Sequence, residues 1–233
     1  MILTIIKNFF TALDNLTGFF ITYTPGPLGR KLRYLYYRKR FKRCGKNVII
    51  EQGVTIHNPG CISVGDNVWI DKYSILMAGQ VDLKNEICRR RENKYFAGEP
   101  GELIIGNRVH IGIFNILQAH GGIVVGNDVT TSAGVKLYSL SNYPYDQSNR
   151  KTVTFANCMA KERNLISYII SPIVIEDGVW IALDCLVLGA RIGRNSFITS
   201  QSVVYHDIAE NSYASGKPAR RIKDRFERSQ ENG

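Results

Sequence analysis

A six-residue period that runs from residue 47 onward is the strongest constraint on what this chain of 233 residues can fold into. An aliphatic residue is followed by a small or acidic one, and a small aliphatic stands two places before the next large aliphatic. The unit appears as Val64-Gly65-Asp66-Asn67-Val68-Trp69-Ile70, as Ile105-Gly106-Asn107-Arg108-Val109-His110-Ile111 and as Val125-Gly126-Asn127-Asp128-Val129-Thr130. It returns as Ile175-Glu176-Asp177-Gly178-Val179-Trp180-Ile181 and Ile192-Gly193-Arg194-Asn195-Ser196-Phe197-Ile198. Hexads of this kind predict a parallel β-helix: each short strand turns its aliphatics into a continuous core, and Gly, Asn or Asp makes the corner. Stacking of neighbours, not any single repeat, makes such a coil stable. The 21 Gly against 7 Pro also favour a turn-rich, mostly β chain over a helical bundle.

This sequence resembles the hexapeptide-repeat acyltransferases over roughly residues 47 to 226. The most specific stretch runs from Ile175 to the ending Gly216-Lys217-Pro218-Ala219. The resemblance implies a left-handed parallel β-helix with three hexads per triangular coil, spanning 47–217 and followed by a short C-terminal helix and tail, 218–233. Two departures stand out: Ala182 replaces the usual Gly, and one residue is missing around Leu188-Gly189. Two segments lose the period and are expected to leave the helix as loops, near 81–102 and 142–171. Relatives of this kind are generally homotrimers with active sites between subunits, so the resemblance also implies a homotrimer, acetyl-CoA as acyl donor and a carbohydrate acceptor.

Acyl transfer to a sugar hydroxyl requires a base for the hydroxyl proton and a donor for the oxyanion. Of four histidines, His57 precedes Asn58-Pro59 in an early coil and His206 lies where the coil ends, so both read as surface residues. His110 takes the place held by Trp69 and Trp180, a flanking position that points off the coil. His120 differs, because Ala119-His120-Gly121-Gly122 lies where Ile105 to Val125 spans twenty residues instead of eighteen. A similar corner carries the catalytic base in sugar N-acetyltransferases of this family, which implies His120 as general base; the alternative is a corner histidine that satisfies turn backbone. Those relatives have an acidic residue after the histidine where this chain has Gly121, leaving the group that orients the ring unidentified. The same resemblance places the Ser139 backbone N–H as an oxyanion donor and sets Trp180, Ala182 and Gly189 along the pantetheine arm. It sets Lys217, Arg220 and Arg221 near the coenzyme A phosphates, with a solvated charged helix as the other reading of that tail. A second branch of the family keeps its histidine near Asn142-Tyr143, where this chain has none.

Residues 1–46 form a separate segment. Ile2, Ile5, Ile6, Phe9, Phe10, Leu13, Leu16, Phe19 and Phe20 recur at helical spacing, so the pattern predicts an amphipathic helix. From Arg30 to Lys46, nine of seventeen residues are basic and none is acidic. Lys7 and Asp14 inside the apolar run argue against a membrane span, whereas an apolar face beside a polybasic run suits peripheral contact with a membrane. The alternative is a helix that caps the β-helix. No nucleic-acid recognition motif accompanies the charge. Five scattered cysteines without a C-x-x-C pair point to a reducing, cytoplasmic setting, and His110 and His120, ten residues apart, are poorly spaced for a metal. The expected activity is therefore acetyl-CoA-dependent O-acetylation of a sugar in a cell-envelope polysaccharide or its lipid-linked precursor. The alternative is N-acetylation of a nucleotide-linked amino sugar.

Overall fold

The computed structural model describes residues 16–82, 87–142 and 167–226. Three parallel ladders of short strands form the faces of a prism, and the chain visits them in turn. The first face stacks Arg43–Cys44, Ile62–Val64, Leu103–Ile105, Ile123–Val125, Ile173–Ile175 and Arg191–Ile192. The second stacks Ile49–Ile50, Trp69–Ile70, His110–Ile111, Thr130–Thr131, Trp180–Ile181 and Phe197–Ile198, and continues into Ser212–Gly216 and Ala219–Asp224. The third stacks Thr55–His57, Ile75–Met77, Ile116–Gln118, Lys136–Tyr138, Leu186–Leu188 and Val203–Val204.

The hexad explains the core. Ile105, Val125, Ile175 and Ile192 form one buried column, Ile50, Ile70, Ile111 and Ile181 a second, and Leu76, Leu117, Leu137 and Val187 a third. Each such side chain contributes about 1.5–3 kcal/mol by leaving water, which adds to the hydrogen-bonded ladders that join each strand to the coils on either side.

The corner between the first and second faces is uniform. Asn47, Asn67, Arg108, Asp128 and Asn195 adopt positive φ there. Beside them, side-chain oxygens of one coil accept backbone N–H groups of the coil below: Lys46 N–H on Asp66, Asp66 on Asn107, Asn107 on Asn127 and Asn127 on Asp177, at 2.7–2.9 Å. The corner between the third and first faces absorbs the irregularity. Ile105 pairs with Val125 twenty residues on, and Ile175 with Ile192 only seventeen on. The missing residue lies at Gly189, whose φ of +55° makes the tight turn. From the same corner come strands that lie outside the prism, Ile87–Arg90 and Leu140–Asn142, both paired with Ser167–Ile170. Residues 83–86 and 143–166 of the two expected loops lie outside the described residues.

The C-terminal segment corrects the expectation of a helix. Ala219–Asp224 is a strand, antiparallel to Ser212–Gly216. The last coil leaves its edge of N–H and C=O groups open, and a hairpin through Gly216, Lys217 and Pro218 pairs that edge, which a helix could not do. At the other end, residues 1–15 of the expected amphipathic helix lie outside the described residues. Residues 16–23 are helical (α1), Thr24 and Pro25 break the chain, and a second helix, α2, runs from Gly26 to Tyr37. Arg33 of α2 is fully buried and donates from Nε to the Ile50 carbonyl at 2.7 Å and from Nη1 to the Thr24 carbonyl at 2.7 Å. This ties both helices to the first coil. Among the described residues no helix is long and apolar enough to cross a membrane.

Candidate active site

His120 sits at the irregular corner, half-buried, at the end of Ile116–Gln118. Its Nδ1 lies 2.8 Å from the carbonyl oxygen of Gly79. A carbonyl only accepts, so this contact assigns the proton to Nδ1 and leaves the Nε2 lone pair free to act as a base. Gly79 holds the equivalent position one coil below, because Met77 pairs with Gln118. Its φ of +91° aims the carbonyl at the imidazole, and its N–H is held by the Gly101 carbonyl at 2.7 Å. Aligning the hexads coil on coil would have placed Gly79 beneath His120; reading only sequence neighbours hid it.

The absence of an acidic residue after His120 has a steric cause. A Cβ on Gly121 would stand 2.4 Å from the Ser139 carbonyl oxygen and 2.9 Å from Ile170 Cγ2. The Ser139 backbone of the next coil and the Ile170 side chain therefore leave no room for a side chain on Gly121, and the Gly79 carbonyl orients the ring in place of a carboxylate.

Ser139 lies one coil above, but its N–H donates to the Gln118 carbonyl at 3.1 Å. It is committed to the ladder, which corrects its expected part as an oxyanion donor. The Ser139 hydroxyl is used too, donating to the same carbonyl at 2.7 Å and accepting the Gly121 N–H at 2.8 Å. Ser139 thus braces the His120 corner. Gly189 stands two coils above this corner, about 10 Å away at the usual strand spacing, and lines a pocket of about 170 Å³ with Ser139, Ser171 and Tyr205.

The other expected coenzyme A residues do not join His120 within one chain. Trp180 is exposed on the second face, edge-on to Phe197, with its indole N–H donated to Ser132 Oγ at 3.1 Å. Ala182 is buried near the corner between the second and third faces. Lys217 sits in the terminal hairpin, Arg220 donates to the Ala219 carbonyl and Arg221 pairs with Asp224 at 3.1 Å. Of the remaining histidines, His57 and His206 are exposed at either end of the irregular corner, and His110 stacks near Trp69 on the second face with Nε2 3.7 Å from Asp71. Among the described residues no group of His, Cys, Asp and Glu could hold a metal ion.

The loop between the second and third coils supplies residues that the sequence reading passed over. Arg91 donates to the Tyr205 carbonyl at 3.2 Å, and Asn93 to the Pro172 carbonyl at 3.2 Å. Tyr95 lies under the Arg191 guanidinium, 4.2 Å from ring centre to carbon. Arg191 is itself paired in a fork with Glu176 at 2.6 and 2.9 Å. Burial pushes the Glu176 carboxyl up, but hydrogen bonds from the Arg191 guanidinium and the Arg194 N–H outweigh it and leave the group below its ordinary value. The loop thus climbs the corner past His120. It encloses, with Gly121, Ile170 and Pro172, a second pocket of about 380 Å³ whose rim carries Arg90, Arg91 and Lys94.

The fold matches solved structures over most of the chain. The Bacillus cereus N-acyltransferase AntD, solved with dTDP and 3-hydroxybutyryl-CoA, superposes with a TM-score of 0.62 at 21% identity, covering 82% of this chain and 87% of that one. A hexapeptide-repeat acetyltransferase of Vibrio cholerae, VCA0836, solved with acetyl coenzyme A, gives 0.51 at 20% identity, covering 88% and 81%. The fold is the left-handed β-helix of the hexapeptide-repeat acyltransferases. No family model matches the sequence. A Schizosaccharomyces pombe protein named as a candidate acetyltransferase is 34% identical over 102 residues, 43% of this chain and 42% of its own length. A Mycobacterium tuberculosis protein named in the same way is 29% identical over 140 residues, 54% of this chain and 46% of its own length. The chain therefore spans less than half the length of these curated relatives.

Proposed function

We propose that this chain is an acetyl-CoA-dependent acetyltransferase acting on a sugar hydroxyl of a cell-envelope polysaccharide or its lipid-linked precursor. The observation that carries the reading is the 2.8 Å contact between His120 Nδ1 and the Gly79 carbonyl, at a corner whose neighbours Ser139 and Gly121 each line a pocket. His120 Nε2 takes the hydroxyl proton as the sugar oxygen adds to the thioester carbonyl. The tetrahedral intermediate then collapses. Its C–S bond breaks, the sulfur leaves with the proton from the imidazolium as the free thiol, and the new ester remains. The Gly79 carbonyl stabilises the imidazolium through the Nδ1–H that it already accepts.

The separation of Trp180, Lys217, Arg220 and Arg221 from His120 fits a homotrimer. There the second face and terminal hairpin of one copy would meet the His120 corner of the next, with coenzyme A between them. A second reading, N-acylation of a nucleotide-linked amino sugar, is favoured by the likeness to AntD, which was solved with dTDP and an acyl-CoA. Proton NMR of surface polysaccharide before and after mild base separates the two. Loss in a His120→Ala strain of an acetyl signal that base also removes supports O-acetylation. A change confined to base-stable amide acetyl moves the assignment to the amino sugar, and no change in either sinks the catalytic part given to His120.

A further inference from the structure

The two helices at the first coil present one face that the prism does not use. On α2 the buried residues are Gly29, Arg33 and Tyr37, whereas Leu28, Leu32 and Leu35 are exposed, Leu28 at 63%. At 100° per residue this apolar row lies about 130° round the helix from the buried row, so it points largely away from the body of the protein. The adjoining helix α1 adds Phe19 at 58% and Phe20 at 62% exposure, with Leu16 and Tyr23. These side chains are exposed among the described residues. An outward row of large apolar side chains on two neighbouring helices is more than the scattered single exposures of an ordinary surface.

The charge around this row selects its partner. No acidic residue occurs between Arg30 and Lys46. Arg30 is paired with Glu51, and Lys42 with Glu102, so those two cations are locally balanced. Lys31 flanks the leucine row, and Arg38, Lys39 and Arg43 follow it, all exposed to solvent. Apolar side chains rimmed by cations match the boundary of an anionic bilayer, where leucine and phenylalanine enter the acyl edge and lysine and arginine meet the headgroups. The buried Arg33, hydrogen-bonded to carbonyls of Ile50, Ile21, Thr22 and Thr24, fixes α2 against the first coil and so fixes which face looks outward.

We propose that this end of the molecule docks on an anionic lipid bilayer, with α2 lying in the surface through Leu28, Leu32 and Leu35 and held there by Lys31, Arg38 and Lys39. The helices pack on the first coil, and His120 belongs to the third, so the candidate site would stand two strand spacings, about 10 Å, further along the prism. That height suits an acceptor anchored in the same membrane, although the docking itself does not rest on the acetyltransferase reading.

Co-sedimentation of the 233-residue chain with vesicles tests the proposal. The expected result is binding to phosphatidylcholine vesicles containing about 30% phosphatidylglycerol, little binding to pure phosphatidylcholine, and weakening at high salt. The neutralising pair Arg38→Gln and Lys39→Gln should lower partitioning about thirtyfold. The pair Leu28→Ser and Leu32→Ser should lower it at least tenfold, an order-of-magnitude expectation from lost apolar burial. Thermal unfolding of each variant shows whether the fold is kept, and the charge pair, wholly on the surface, carries the test if the leucine pair unfolds. Equal binding to neutral and anionic vesicles, or none to either, overturns the proposal. So does a leucine pair that changes the sedimentation mass but not vesicle binding, which would give the face to a second copy of the chain. Acetyl transfer to a soluble acceptor by these variants reports on His120 independently, so failure of docking and failure of the enzymatic reading are distinguishable.

Discussion

Two corners of the same prism are built by opposite rules. Where the first face meets the second, Asp66, Asn107, Asn127 and Asp177 repeat one hydrogen bond coil after coil, and the chain turns with little variation. Where the third face meets the first, successive coils show a widened turn at His120, an excursion through Leu140–Asn142 and Ser167–Ile170, and a shortened turn at Gly189. A stack needs one regular edge to keep register, and once register is secured the opposite corner can vary in length without disturbing the core columns. The comparison teaches that chemistry is to be sought where the period fails.

The sharpest way to break this contrast is at His120. His120→Ala should lower the acetyl-transfer rate about 10²–10⁴-fold while leaving the melting temperature nearly unchanged, since the side chain is half-buried and makes one hydrogen bond. Steady-state kinetics with acetyl-CoA together with thermal unfolding check both halves. Gly79→Ala should cost about ten- to a hundredfold in kcat, because a φ of +91° and a contact with Asn58 Nδ2 at 2.8 Å force the carbonyl to move and the imidazole to lose its orientation. An unaltered kcat there would show that the carbonyl does not position the ring.

A smaller effect is expected from the ion pair that supports the loop. Because the Glu176 carboxyl lies below its ordinary value in the folded chain, its stabilisation is present above the unfolded value of about 4.3 and is lost as pH falls through the folded value. Glu176→Gln should therefore cost about 1–2 kcal/mol at neutral pH, with the gap from the parent protein closing in acid, as read from denaturant unfolding at both pH values. The mildest change is Asn107→Ala at the regular corner. Losing the acceptor for the Asp66 N–H should cost about 1 kcal/mol of stability and leave kcat where it was. An activity loss there larger than that from Gly79→Ala would erase the distinction between the corners.

Much of this is legible in the sequence. The hexads placed Ile105, Ile111 and Ile181 in the core, the count from Ile105 to Val125 located the widened turn at His120, and the missing residue pointed to Gly189. These features are encoded by spacing along the chain, which a ladder converts directly into position. The tail was misjudged because Ala219–Asp224 is a strand only by virtue of the open edge beside it, a feature no local propensity carries. Ser139 was misjudged for a related reason: whether an N–H is free depends on the carbonyl opposite, here Gln118.

The sequence by itself determined the repeating strand, the continuous aliphatic core, the corner that departs from the period and the basic, apolar character of the first forty-six residues. Each follows from residue type and interval, and hydrophobic burial enforces them wherever the chain stacks. Only the tertiary structure decided that Gly79 holds His120, that Ile170 closes the space beside Gly121, that Trp180 and Gly189 stand on different parts of the prism, and that Leu28, Leu32 and Leu35 face outward. These are relations between segments tens of residues apart. They depend on how coils and excursions come to rest against one another, and short-range pattern carries no record of that.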